Sequence, residues 1–328
     1  MKVALFGAGR IGKVHAASIR MDPRSRLVAV TDVMTEAATS LAEEHGIAAR
    51  AADDILADAD IDAILIASST NTHAGLVEAG VRAGKAVFCE KPITNDAAEA
   101  LRMAEAAEAS GLANQVGFNY RHTPAISLLK QIIDHGELGE PLSFRASYMQ
   151  DGAYFIDDFG WRSAKRTGGS GAVGDIGSHV IDLAEYLNGP IVRVSAMMRT
   201  NGGTAGASWL PEDERLSQDL TDDAGTWVAQ FANGSIGTFV ASFQAYGRKN
   251  QIRLELDGTK GAAEFDWNRR EELKLARADD RVEDSGFKTV LVSDAHRDVW
   301  YPVAGIGIGY VEGSAIQLAR FVEAAANG

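Results

Sequence analysis

Apolar residues recur along this chain in two different rhythms. At 3–6, 27–31, 63–67, 86–89 and 113–117 short apolar runs appear without strict polar alternation, as strands buried on both faces require. Between them, residues 10–20, 35–44, 72–83 and 96–110 carry helical spacing, and the last stretch is rich in the helix formers Ala, Glu and Met. This alternation predicts an α/β fold, a doubly wound parallel sheet whose ligands lie at the C-terminal ends of its strands. Beyond about residue 140 the texture changes. Segments 141–149, 226–231, 235–243, 251–256 and 262–265 are longer, and several alternate polar with apolar. Asn233-Gly234 and Asp257-Gly258 stand as tight turns between consecutive runs. Residues 201–223, rich in Gly and acids, read as a long loop. The expectation is an α+β domain with a large, mainly antiparallel open sheet, and the boundary is drawn between 1–120 and 121–328.

Size agrees with two domains, because 328 residues exceed one ordinary core. A net charge of −13 argues against nucleic acid and anionic membrane as partners, both of which need a basic surface. No apolar run approaches the roughly 18 residues of a membrane span. The chain enters a strand at once, without the pattern of a signal peptide, so a cytoplasmic protein is expected. The one cysteine, Cys89, excludes an intramolecular disulfide.

The first strand runs straight into Gly7-Ala8-Gly9-Arg10-Ile11-Gly12. In this context the first glycine makes the turn, the second admits a pyrophosphate and the third lets the helix sit close to the strand. The phosphates then lie on the helix N-terminus, where free amides and the dipole favour anions. Asp32, about 20 residues beyond Gly12 at the end of the second strand, suits the adenosine ribose hydroxyls. Its charge opposes a 2′-phosphate and no Arg follows it (Val33, Met34), so NAD is expected over NADP.

Two further groups carry chemistry. Glu90-Lys91-Pro92 follows the strand at 86–89, so Lys91 falls at a C-terminal strand end beside the expected nicotinamide, its backbone restricted by Pro92. A glycine-rich approach, Gly168 to Gly174, leads into a helix stopped by Gly189-Pro190. Ile176, Val180, Leu183 and Leu187 form its apolar stripe, and Asp175, His179 and Asp182 lie on a neighbouring one. Asp175 and His179 stand one turn apart, where a carboxylate orients an imidazole that titrates near neutrality. No metal is expected, since His122, His135, His179 and His296 have no ligand spacing. A serine hydrolase elbow is absent as well.

Taken in order, Gly7–Gly12 with Asp32, Ser69-Thr70-Asn71-Thr72-His73, Glu90-Lys91-Pro92, Gly117-Phe118-Asn119-Tyr120-Arg121 and Gly169…Asp175…His179 resemble the glucose–fructose oxidoreductase/inositol dehydrogenase/rhizopine catabolism (Gfo/Idh/MocA) family. The resemblance covers essentially the whole chain and is nearest to its levoglucosan and inositol dehydrogenase branch. It implies an NAD-binding Rossmann domain, then a domain for substrate and oligomer contacts. The implied activity is oxidation of a secondary hydroxyl of a cyclitol or pyranose sugar to a ketone. Lys91 then binds the reacting hydroxyl, His179 is the general base and Asp175 places the substrate. Gly7, Gly9, Arg10, Ile11, Gly12 and Asp32, with Ser69, Thr70, Asn71, His73, Glu90 and Lys91, are implied at the cofactor. Asn119, Tyr120, Asp157 and Arg162 are implied at sugar hydroxyls. A homodimer or homotetramer is expected, and the family pattern would run about one helix beyond Gly328. The alternatives are an NAD-dependent glycosidase with transient sugar oxidation and a catalytically silent NAD-binding sensor.

Overall fold

The computed structural model describes residues 1–152, 165, 169–200, 220–292 and 307–327. They form two units, Met1–Asn119 with Ile308–Gly328, and Tyr120–Gly307.

The first unit alternates β1 (Lys2–Phe6), α1 (Arg10–Ile19), β2 (Arg26–Thr31), α2 (Thr35–His45), β3 (Ala48–Ala49), α3 (Ala52–Ala57), β4 (Ala63–Ile66), α4 (His73–Arg82), β5 (Ala86–Cys89), α5 (Ala97–Ala109) and β6 (Asn114–Val116). All six strands are parallel, in the order β3-β2-β1-β4-β5-β6. The order reverses between β1 and β4, the switch point where such sheets open a ligand crevice. The unbroken apolar runs are explained by two cores, one on each face. One face packs Leu5, Ile19, Val30, Leu41 and Phe88, and the other Phe6, Ile64, Ile66, Val77 and Met103.

A last helix, α8 (Tyr310–Asn327), belongs to this unit and not to the second, contrary to the division expected at 121–328. Its face Leu318, Phe321 and Val322 completes the core beside α1, and Phe321 meets Phe88 edge to face at 5.8 Å. The Gln317 side-chain amide donates to the Val116 carbonyl (3.0 Å) and the Ser18 hydroxyl to that of Val311 (2.9 Å).

The second unit has α6 (Pro124–Asp134), β7 (Pro141–Met149), a wide π turn (Val173–Gly177) leading into α7 (Ser178–Asn188), then β8 (Ile191–Arg199), β9 (Ala224–Phe231), β10 (Ile236–Ser242), β11 (Gln251–Gly258), β12 (Gly261–Asp266), β13 (Glu272–Arg277) and β14 (Lys288–Leu291). Its sheet runs β14-β13-β12-β11-β7-β10-β9-β8. Every pairing is antiparallel except β7 with β10. Alternation along the strands has its expected meaning. In β9, Trp227, Ala229 and Phe231 face the core while Thr226, Val228 and Gln230 face out. The core side packs against α6 and α7 through Ile126, Leu129, Val180 and Leu183. Asn233-Gly234 makes the β9–β10 turn, with Gly234 at φ 88°. Asp257 and Gly258 instead end β11, and the reversal falls at Thr259-Lys260 because the ladder continues to Gly258 opposite Pro141. Among the described residues no helix is long and apolar enough to cross a membrane.

Candidate active site

The glycine turn after β1 is closed at both ends and open in the middle. Gly7 adopts φ 110°, and a Cβ there would lie 2.6 Å from the Ala67 carbonyl oxygen. A Cβ on Gly12 would lie 2.0 Å from the Gly7 carbonyl oxygen, so α1 is held against the turn itself. Above Gly9, nothing among the described residues lies within 4 Å of the corresponding position. No side chain caps α1 at Gly9, and Arg10 is exposed while Ile11 is half-buried. An uncapped helix start beneath an open glycine fits a dinucleotide pyrophosphate. Asp32 closes the cradle. Its Oδ2 accepts from the Ala8 amide at 2.7 Å and its Oδ1 from the Met34 amide at 2.8 Å. Each oxygen keeps lone pairs for ribose hydroxyls. Val33, 97% exposed, and Met34 offer no cation beside it for a 2′-phosphate.

Lys91 lies just past the end of β5, half-buried, and the Lys91–Pro92 peptide is cis. Two buried histidines brace this turn from opposite sides. His15 of α1 bonds through Nε2 to Glu90 Oε1 at 2.8 Å, while Glu90 Oε2 accepts from the Lys91 amide at 3.1 Å. The Glu90 carboxylate lies flat on Gly117, where a Cβ would sit 2.8 Å from it. Glu90 is expected at the cofactor; the same carboxylate also holds Lys91, one oxygen accepting from its amide while the other faces His15.

His73 is expected at the cofactor as well. It is buried, and its Nδ1 and Nε2 face the carbonyls of Pro92 (2.9 Å) and Ser68 (3.1 Å). In its neutral form the ring donates to one of these two carbonyls and packs its other nitrogen against the second, so it sits between the 68–72 loop and the Lys91-Pro92 turn. Burial pushes its pKa below the ordinary histidine value, and the hydrogen bonds to Ser68 and Pro92 offset part of that. In the loop, the Thr72 amide and hydroxyl both donate to the Ser69 carbonyl, at 2.9 and 2.7 Å. Thr70 is buried, Ser69 half-buried and Asn71 exposed. Asn119 is buried, and its Oδ1 has no hydrogen-bond partner among the described residues.

In the second unit Asp175 rides on the π turn and His179 on the first turn of α7. Such turns recur at functional sites because they break the regular register of a helix. His179 is buried against two tyrosines, 4.8 Å from the Tyr120 ring and 5.9 Å from that of Tyr148. Tyr120 was expected at a sugar hydroxyl. Its hydroxyl is instead 2.9 Å from that of Tyr148 and accepts from the Asn250 side chain at 3.3 Å, so it forms the bed under His179. Burial raises the Tyr120 pKa, its bonds to Tyr148 and Asn250 oppose the rise, and the Asp175 charge adds to it.

Asp182, on the polar stripe, turns to Arg121. Arg121 Nε donates to Asp182 Oδ2 at 2.8 Å and its Nη2 to Oδ1, a forked pair that pins the 119–122 turn to α7. Asp157 and Arg162 lie outside the described residues, as does most of the 201–223 loop.

Pattern reading missed His15, the Arg121–Asp182 pair and Asp222, which clamps the approach to the π turn. His15 lies on the buried face of α1, one turn past Gly12, and that was its only local signal.

Residues 1–118 match the oxidoreductase family with an NAD-binding Rossmann fold, and residues 126–264 match the GFO/IDH/MocA C-terminal domain. The levoglucosan dehydrogenase of Pseudarthrobacter phenanthrenivorans is 36% identical over 100% of this chain and 90% of its own length. The inositol 2-dehydrogenase of Rhizobium meliloti is 34% identical over 85% of this chain and 79% of its own. Among solved structures, levoglucosan dehydrogenase in complex with NADH and levoglucosan superposes with a TM-score of 0.92 at 34% identity, covering 100% of this chain and 90% of that one. Open Gly9, Asp32 and these likenesses agree on NAD, and the chain belongs to the Gfo/Idh/MocA family of NAD-binding oxidoreductases.

Proposed function

We propose that this dehydrogenase oxidises a secondary hydroxyl of a cyclitol or pyranose sugar, inositol- or levoglucosan-like, to the ketone. The observation that carries this reading is the full-length likeness to a dehydrogenase solved with NADH and levoglucosan. NAD, held by Gly7, Gly9, Arg10, Ile11, Gly12 and Asp32 with the Ser69–Asn71 loop, supplies the hydride acceptor.

The remaining chemistry belongs to side chains. Lys91 is the cation that stabilises the alkoxide developing on the substrate, a task for a preorganised charge in a partly dry site. Its aim is set by Glu90 and His73, which brace the turn on either side of it. His179 takes the hydroxyl proton as general base, and Asp175 orients the ring and the substrate. The Tyr120–Tyr148 bed keeps the imidazole from turning away, since a shift of about 1 Å in such a group costs about 10²-fold. Asn119 is proposed to use its unsatisfied Oδ1 toward a substrate hydroxyl. Asp157 and Arg162 remain proposed sugar contacts. A second copy of the chain is the proposed partner, as dimer or tetramer.

NADH formation across inositols, free aldoses and anhydro sugars, at neutral to mildly alkaline pH, tests the reading. Turnover is expected with at least one ring. His179→Ala should lower kcat by about 10²–10⁴-fold with NAD affinity retained, and Lys91→Ala should do at least as much damage. Full turnover in Lys91→Ala removes it from the chemistry. Release of an aglycone without net NADH favours the glycosidase, and NAD binding with silence across the panel favours the sensor.

A further inference from the structure

The turn that delivers Asp175 and His179 is built by a residue from far along the chain. Asp222, just before β9, is buried. Its Oδ1 accepts from the Ser170 hydroxyl at 2.7 Å and the Gly171 amide at 2.8 Å, and its Oδ2 accepts from the Val173 amide at 2.8 Å. The Asp222 carbonyl accepts from the Ala172 amide at 2.9 Å. The Ser170 hydroxyl, so oriented, accepts from the Gly174 amide at 3.0 Å. The amides of Gly171, Ala172, Val173 and Gly174, the orphan donors of a helix start, are therefore all satisfied by Asp222 or by the serine it holds. The approach is close enough that a Cβ on Gly171 would lie 1.8 Å from the Asp222 carbonyl oxygen.

An ordinary helix is capped by its own preceding residue, and its ladder then fixes which side chain faces where. Here the Asp175 amide makes one ordinary i to i−4 bond, to the carbonyl of the clamped Gly171 at 2.8 Å, and the helix widens into a π turn over Val173–Gly177, so the register departs from that of a regular ladder. A slip of one residue would swing Asp175 by about 100° around the axis. We propose that Asp222 is a positioning residue for the reaction: by clamping 170–174 it sets the register of the π turn and with it the aim of Asp175 and His179. This rests on the reading of that pair as the acid–base group.

The test uses the full chain and the variants Asp222→Asn, Asp222→Ala and Ser170→Ala, with His179→Ala as reference. NAD affinity by fluorescence titration should stay within about twofold, since the clamp lies wholly outside the Rossmann unit. On the best sugar of the panel, kcat should fall by about 10–100-fold in Asp222→Ala. Asp222→Asn, which keeps one acceptor oxygen, should fall less, and the pH limb of kcat/KM should move in both. Histidine-selective NMR gives a readout independent of turnover. The His179 resonances, assigned by their loss in His179→Ala, should shift in Asp222→Asn while those of His15 and His73 stay in place. A folded Asp222→Asn with wild-type kcat, an unmoved pH limb and unmoved His179 resonances overturns the proposal, whatever its melting temperature. Should Asp222→Ala not fold, the same readouts on Asp222→Asn and Ser170→Ala decide. If His179→Ala itself turns over normally, the acid–base reading fails instead, and the resonance shifts alone judge the clamp.

Discussion

At Asp32 one carboxylate serves two purposes, and the structure shows how to separate them. Its oxygens brace the glycine turn through the Ala8 and Met34 amides, while its charge disfavours a 2′-phosphate. Asp32→Ala removes both and should lose affinity for either cofactor. Asp32→Asn keeps acceptor capacity but not charge, so the ratio of kcat/KM for NADP to that for NAD should rise by at least about tenfold, or about 1.4 kcal/mol. An unchanged ratio would show that the charge is not the selector. His73 makes a prediction about pH. Burial holds its folded pKa below the ordinary value, with the Ser68, Pro92 and Ile93 hydrogen bonds and the Glu90 charge pulling back in part. The unfolded chain takes up this proton at about pH 6.5 and the folded one only at lower pH. Stability from this group is therefore complete above about pH 6.5 and falls as the pH drops toward the folded value. His73→Asn should cost about 1–3 kcal/mol at neutral pH through a lost buried hydrogen bond. It should also flatten the acid dependence in urea denaturation, and an equally steep decline in the variant would remove His73 as its source.

Elements that are local in sequence were legible in it, and those defined by partners were not. The β1 turn, the strands of the Rossmann half and the end of α7 before Gly189 were readable because glycine, run length and helix stops act over a few residues. Strand β8 gave no alternation to read, since Val192, Val194, Met197 and Met198 are exposed on both of its faces. Only Leu273 and Leu275 turn inward along β13. The site divides in the same way. Gly9, Asp32, Lys91 and the Asp175–His179 pair stand in recognisable local patterns, whereas His15 on Glu90 and Asp222 on Gly171 are contacts across the fold. Helix α8 is the largest case, because an apolar stripe does not say which core it will complete. Phe321 packs on Phe88, which in turn meets the His15 ring at 5.2 Å. Phe321→Ala should therefore destabilise the Rossmann unit by about 3–5 kcal/mol. Denaturation followed by loss of NAD binding measures this, and a change under about 1 kcal/mol would mean that α8 is not part of that cooperative core.

For the whole molecule, the outward face of the large sheet is uneven in a way that bears on assembly. Across β7, β11, β12 and β13 it is covered by cross-strand ion pairs: Arg145 with Glu255 at 2.7 Å and Asp257 at 2.6 Å, and Arg253 with Asp266 at 2.7 Å. Toward β8, β9 and β10 it carries exposed apolar side chains set among Thr226, Gln230 and Thr238, with Met197 78%, Val228 54% and Ile236 62% exposed, and β8 leaves an unpaired edge among the described strands. Exposed ion pairs contribute at most about 1 kcal/mol each, so the ion-paired part is stable in water, whereas an apolar patch beside an open edge favours burial. With the proposed second copy on this patch, Met197→Glu/Val228→Glu should yield monomers in size-exclusion chromatography with light scattering. NAD affinity should be retained, because the cofactor cradle lies in the other unit. Salt separates the apolar patch from the ion pairs as the source of association. Each copy carries a net charge of −13, so two copies repel, and screening that repulsion should strengthen an apolar contact as ionic strength rises from about 0.05 to 0.5 M. Association through the Arg145 and Arg253 pairs would weaken over the same range, and that outcome would move the interface to the charged half of the sheet.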